Sequence, residues 1–89
     1  MDILWDEGKN RTLKETRDIS LEEVAQLILD KNYLAILENP ARLDQRIFIL
    51  TYRGYTHVVP FIIDEEDNII LKTAFPSRKF HKLYGEKTP

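Results

Sequence analysis

The chain of 89 residues contains no cysteine. That excludes a disulfide-stapled scaffold and any thiolate metal site, and it suits a reducing compartment such as the cytoplasm. Glycine is scarce: Gly8, Gly54 and Gly85 are the full set. No phosphate-cradling glycine motif can be formed from them, and no serine stands in a nucleophile-elbow pattern. No apolar run approaches the roughly 20 residues needed to cross a bilayer. The opening residues MDILWDEGKN lack the basic-then-apolar order of a secretory signal. Neither a membrane span nor export is expected. An excess of positive charge is also missing: the net charge is −2 at pH 7, which by itself does not mark a nucleic-acid binder. The two histidines, His57 and His81, are not spaced as a ligand pair and have no ligand cluster beside them, so no metal site and no cofactor is expected. Asp64, Glu65, Glu66 and Asp67 lack the spaced oxygens and turn glycine of a calcium loop and read as a solvated connection.

What the chain does have is an uneven distribution of charge. Lys9, Arg11, Lys14 and Arg17 stand against the single acid Glu15, and Lys72, Arg78, Lys79, Lys82 and Lys87 against Glu86. Acid collects at 64–67 and in Asp2, Asp6 and Glu7. If the two basic segments come together, they form a positive surface on an acidic protein. A chain of this length forms one domain, 1–89, with one modest core, so a partner that buries more surface would stabilise it.

Hydrophobic periodicity sets the order of elements. Residues 2–5 read as a short edge strand ending at Trp5. Asp6 can cap a polar helix over about 8–16, with Leu13 and the Trp5 ring as its core contacts. Ser20 and Glu23 form a capping-box pattern. Leu21, Val24, Ala25 and Ile28 follow at i, i+3, i+4 and i+7, with Leu27 widening the stripe, in a helix expected to end near Lys31-Asn32. Tyr33 to Glu38 reads as a strand closed by the Asn39-Pro40 turn. Arg46 to Arg53 alternates, with Ile47 and Ile49 on one face and Phe48, Leu50 and Tyr52 on the other. Gly54 makes a hairpin to a return strand, Tyr55 to Ile63, with a bulge or edge position expected at Pro60. Ile69 to Phe75 reads as the last long strand. Ser77 caps a final helix in which Phe80, Leu83 and Tyr84 share a buried face and Arg78, His81 and Lys82 share another. Gly85 ends this helix, and 85–89 is expected to fray. The reading is α+β: a small antiparallel sheet with two N-terminal helices and a C-terminal helix, ordered β-α-α-β-β-β-β-α.

The candidate site residues are basic and phenolic. Arg78, Lys79, His57 and His81 are the catalytic candidates, and Lys9, Lys14, Lys72, Lys82, Tyr52 and Tyr84 are candidates for RNA contact. Such groups suffice for metal-independent RNA cleavage. A base takes the 2′-OH proton, the oxygen attacks phosphorus, arginine or lysine stabilises the charge on the phosphoryl oxygens, and an acid protonates the leaving 5′-oxygen. Histidine suits the proton transfers and arginine the phosphate. Aromatic rings can stack unpaired bases. Each residue also has a plainer role. Trp5 anchors the first helix, His57 is a hydrogen-bonded strand residue, and Lys9 and Lys14 keep a polar helix soluble.

Ile3-Leu4-Trp5-Asp6-Glu7, then Lys9-Asn10, Leu13-Lys14 and Ile19-Ser20-Leu21-Glu22-Glu23, resemble the N-terminal signature of BrnT-like toxins. In that family a "WD" start and a Lys/Asn-rich helix lead to a short H-G-[IV]-S-F-E-E segment. Pro76-Ser77-Arg78-Lys79 is similar to the family's S-A-R-K at the strand-to-helix junction. The likeness runs over about 3–84 in the same order of elements. Arg17-Asp18 stands where the family usually has His-Gly. The resemblance implies a fold related to RelE-type ribonucleases and a bacterial type II toxin that cleaves RNA, on or off the ribosome, and inhibits growth. It also implies a cognate antitoxin that covers the toxin and makes the operator-DNA contacts. By position Trp5, Lys9 and Lys14 match the helix-one signature, and Arg78 and Lys79 the final one. Two functions are therefore weighed: a toxin endoribonuclease, and a non-catalytic module, an inactive toxin relative, whose basic face docks an antitoxin-like partner.

Overall fold

The computed structural model describes residues 1–85. Residues 86–89, which hold most of the expected frayed tail and include Glu86 and Lys87, lie outside the described residues. The order is β1 (Ile3–Trp5), α1 (Glu7–Arg17), α2 (Leu21–Leu29), β2 (Ala35–Glu38), β3 (Arg46–Tyr52), β4 (Tyr55–Ile63), β5 (Ile69–Leu71), β6 (Phe75–Pro76) and α3 (Arg78–Tyr84). The α+β class and the placement of the three helices follow the sequence reading. The sheet runs β1-β5-β4-β3-β2, with β6 beside β4.

Two features of the sheet differ from the expectation. First, it is mixed: β1 pairs β5 in parallel, Ile3 opposite Ile69 and Trp5 opposite Leu71. The Ile69 N–H donates to the Asp2 carbonyl at 2.8 Å, and the Asp2 N–H to Asn68 Oδ1 at 2.9 Å. Side-chain alternation reports which face is buried and says nothing of strand direction. Second, the long strand expected from Ile69 to Phe75 is two short ones. β5 pairs with Phe61–Ile63 of β4 and β6 with His57 and Val58. Leu71 sits opposite Phe61 and Phe75 opposite Val58, so the β5–β6 side spends one residue more than β4 does. Pro60 explains the break. Its carbonyl accepts from the Lys72 N–H at 2.9 Å, and a strand residue's N and O point to the same side, so the donor that proline lacks is missing on that side. Pro60 is in a central strand, its pairing with Ile47 is in register, and the bulge lies in its neighbour.

The helix ends are set by local chemistry. Asp6 Oδ1 caps α1 by accepting from the Lys9 N–H at 2.8 Å, and the Trp5 indole N–H donates to the Glu7 carboxylate. Asp18, at φ 55°, ends α1 in the left-handed region. Lys31, at φ 58°, does the same after α2: Asn32 N–H bonds the Leu27 carbonyl and Lys31 N–H that of Ile28, a Schellman pattern that closes the helix before Lys31-Asn32. The capping box at α2 is half made. Ser20 Oγ accepts from the Glu23 N–H at 3.3 Å. The Ser20 N–H, however, donates to Tyr52 Oη at 3.0 Å, and that hydroxyl donates to Glu23 at 2.5 Å. The tyrosine hydroxyl is thus inserted between the two members of the box. Arg53 (φ 51°) and Gly54 (φ 80°) form the two-residue β3–β4 turn, a geometry that needs positive φ at both positions.

The core on the α1–α2 face contains Leu13, Ile19, the α2 stripe, Phe48, Leu50, Tyr52, Val59, Phe61, Ile69, Leu71 and Ala74. On the other face, Ile47, Ile49 and Val58 are buried under Phe80 and Tyr84 of α3. Leu83, expected with them, is half exposed: seven residues make under two turns, and the packed face is only wide enough for the i, i+4 pair.

Candidate nucleic-acid interface

The first basic segment faces the uncharged stretch between Lys72 and Arg78 of the second. Lys9, Thr12, Thr16 and Arg17 of α1 face the chain at 73–76 across a cleft of about 540 Å³ floored by Leu13. The α1 residues lie at i, i+3, i+7 and i+8, which puts them on one helical face. From the far wall the chain passes through Pro76 and the cap Ser77, whose Oγ accepts from the Phe80 N–H at 3.2 Å, into Arg78 and Lys79. Lys9, Arg17, Lys72, Arg78, Lys79 and Lys82 are exposed. Among the described residues none of the six is in an ion pair. Lys79 Nζ lies 5.5 Å from the Phe80 ring centre. Their charge is therefore available to an anion.

Lys14 differs. Its Nζ is 3.1 Å from Glu22, and this pairing turns it toward α2 and away from the cleft. Glu22 also accepts from Asn10 Nδ2 at 2.8 Å, while Asn10 Oδ1 accepts from the Leu21 N–H at 2.9 Å. Asn10 is buried by this double bond between the helices. These bonds, that of Asn10 foremost, hold the Glu22 carboxyl down to about 2.

The aromatic and imidazole candidates divide sharply. Tyr52 is buried at 4% exposure, with its hydroxyl committed to Ser20 and Glu23; burial and the Glu23 carboxylate push its pKa up. Its ring is not available to stack a base. Tyr84 is half-buried against the Ile47, Ile49 and Val58 cluster. His81 is turned inward rather than toward Arg78 and Lys82. Its ring stacks on Tyr55 at 4.1 Å and 17°, and its Nδ1 lies 3.0 Å from Thr56 Oγ1 and accepts from the Thr56 N–H at 3.4 Å. Thr56 also accepts from the Ser77 N–H at 3.0 Å. One buried threonine thus ties both the start and the middle of α3 to β4. Gly85 fits the same node: a Cβ there would meet Thr56 Oγ1 at 2.6 Å and collide with the His81 ring. The structure gives His81 an anchoring role.

His57 is placed differently. It is 7% exposed and pairs across the sheet with Pro76, a wall of the cleft. Its Nδ1 lies 2.9 Å from the Tyr55 carbonyl. A carbonyl only accepts, so Nδ1 carries the proton and Nε2 the lone pair. Burial lowers its pKa, against the opposing Tyr55 bond, which keeps the ring neutral near pH 7. It is a neutral imidazole held in one tautomer behind the Pro76 wall, and it does not itself line the cleft.

The reading of isolated residues missed Thr12, Thr16, Thr73 and Phe75 as walls of this cleft. The helical spacing of Lys9, Thr12 and Thr16 was a usable sign for two of them. The approach of 73–76 to α1 depends on the break opposite Pro60 and has no local sign. Among the described residues no three His, Asp or Glu side chains group to hold a metal, and no helix is long and apolar enough to cross a membrane.

No protein-family model matches the sequence, and no curated protein matches it. A solved structure does. The crystal structure of the Brucella abortus ribonuclease toxin BrnT aligns with a TM-score of 0.66 over 86% of this chain and 96% of that one, at 18% identity. The chain has the fold of BrnT.

Proposed function

We propose that residues 1–89 form a single toxin domain that cleaves RNA without a metal ion. The observation that carries this reading is the cleft itself. On a fold shared with a ribonuclease toxin, Lys9 and Arg17 of α1 face the segment that leads into Arg78 and Lys79. In this reading the cations bind the phosphodiester backbone, and Arg78 and Lys79 stabilise the charge that develops on the phosphoryl oxygens. His57, with its lone pair on Nε2, takes the 2′-OH proton. The oxygen attacks phosphorus, the 5′-oxygen leaves with a proton from a general acid, and a cyclic phosphate remains. His81 positions α3 and so positions Arg78. The domain acts in the cytoplasm as the toxin of a type II pair, inhibits growth, and is covered by a cognate antitoxin that alone contacts operator DNA.

A second reading has its own support. Tyr52 and His81 are occupied by structural bonds, which leaves few proton-transfer groups. The chain would then be a non-catalytic module whose cationic face docks an antitoxin-like partner. Expression of the wild type and of Arg78→Ala/Lys79→Ala in bacteria, with mapping of RNA 5′ ends, separates the two. Growth arrest with new ends in the wild type alone is expected for the ribonuclease. Intact mRNA after incubation with purified, folded, partner-free chain, with and without ribosomes, ends that reading.

A further inference from the structure

We infer that Phe75 is the stacking platform for an unpaired base of a single-stranded RNA whose flanking phosphates lie on the cations at either side of it. The inference rests on the ribonuclease reading and names a residue that reading does not use.

Phe75 is 37% exposed. The edge strand β6 explains this. Phe75 pairs with Val58, and directly paired residues share a face of the sheet, so its side chain belongs to the face that α3 covers. It nevertheless lines the cleft on the α1 side. Phe75 therefore stands on the edge strand, at the rim where the two faces meet. Lys9 and Arg17 lie across the cleft from it, and Arg78 and Lys79 follow three and four residues later at the head of α3. Thr73 shares its wall. An aromatic face between two groups of unpaired cations is what single-stranded nucleic acid requires: the ring takes a base and the cations take the phosphates. A duplex presents no free base face to such a ring, and the proposal is specific to unpaired RNA.

The rival explanation is that Phe75 is a stray exposed residue of an edge strand, as single surface apolar residues often are. Binding distinguishes the two. The probe is a fluorescein-labelled 2′-O-methyl RNA dodecamer, which cannot be cleaved because its attacking oxygen is blocked. Anisotropy is measured with the purified chain, with Phe75→Leu, and with Phe75→Trp. Phe75→Leu keeps apolar bulk and removes the π-face, and it is expected to weaken binding about tenfold. Phe75→Trp is expected to retain affinity, and its indole emission is expected to quench on adding the oligonucleotide. The native chain has one tryptophan, Trp5, so the unsubstituted protein supplies the background. The same sequence as a blunt duplex is expected to bind more weakly than the single strand. Equal affinity of wild type and Phe75→Leu, with no quench in Phe75→Trp, overturns the inference and leaves the ribonuclease reading standing. No binding of the single strand by the wild type overturns both. A Phe75→Leu variant that does not fold leaves the Trp quench as the deciding measurement.

Discussion

The sheet has two faces built to different depths. Under α1 and α2 it buries a continuous cluster from Leu13 through Leu21, Val24, Leu50 and Val59 to Leu71. Under α3 the buried set is Ile47, Ile49 and Val58, with Phe80 and Tyr84 only partly covered and no residue of α3 itself buried. The first face supplies most of the apolar burial and hence most of the stability. The second is held by a few directional contacts centred on Thr56. Arg78 and Lys79 are carried by the thinner face, and Lys9 and Arg17 by the outer side of the helix on the thicker one. The cationic cleft joins the two, so displacing α3 would separate its cations while leaving most of the core intact.

The largest expected effect tests that asymmetry. Leu50 is fully buried in the thick core, and Leu50→Ala should cost about 2–5 kcal/mol through lost transfer energy and the cavity it leaves. Phe80→Ala should cost well under that, because the ring is already partly solvated. Urea denaturation of both variants checks the ratio. Equal losses would mean that α3 is as integral to the core as α2.

Next is the hydroxyl that joins strand to helix. Tyr52→Phe leaves the ring in place and removes the group that accepts from Ser20 and donates to Glu23. The orphaned, partly buried Ser20 donor should cost about 1 kcal/mol. It should also release Glu23, whose pKa is lowered chiefly by the Tyr52 bond and then by Arg53. A carboxyl titration by NMR should find the Glu23 pKa closer to 4.5 in Tyr52→Phe than in the wild type.

Acid should act on the thick face in two stages. His57 has a folded pKa below its ordinary 6.5, so the unfolded chain takes up a proton first and stability falls as pH drops below 6.5 toward the folded value. Glu22 is lowered from 4.5 to about 2; its contribution is complete above 4.5 and is lost as pH falls toward 2. Thermal unfolding across this range should show both limbs in the wild type. Glu22→Gln should shrink the lower one, to which Glu23 and Asp64 also contribute, and leave the upper.

How much of this the sequence shows depends on range. The α2 stripe, the caps Asp6, Ser20 and Ser77, the alternation of β3 and the Arg53-Gly54 turn are local patterns, and the folded chain uses each of them. Leu21 and Val24 repeat at helical spacing because one face must be buried, and nothing distant can change that. The parallel partner of β1, the split at 72–74 and the inward turn of His81 are set by which element lies opposite, and helical spacing alone places His81 on the wrong face. The cleft is intermediate. Lys9 and Arg17 share a helical face that can be read from spacing. Their meeting with Phe75 requires Pro60 to interrupt the neighbouring strand, a pairing consequence that neither segment reveals alone.

The smallest effect concerns the point where Arg17-Asp18 replaces the His-Gly usual in the family it resembles. Asp18 is the left-handed residue that ends α1, a position where glycine is the default because a Cβ is disfavoured there. The aspartate has a compensation: Arg53 Nη1 reaches its carboxylate at 2.5 Å and its carbonyl at 2.9 Å. The carboxylate pair is exposed, and such pairs contribute little. Asp18→Gly relieves the backbone and keeps the carbonyl bond, so two small terms of opposite sign should nearly cancel and leave stability within about 1 kcal/mol of wild type. Asp18→Ala keeps the unfavourable Cβ and loses the carboxylate, so it should be the less stable of the two. If Asp18→Gly were instead strongly destabilised, the Arg53 pair would be a principal tie between α1 and the β3–β4 turn. The thick face would then depend on a surface ion pair as well as on its apolar cluster.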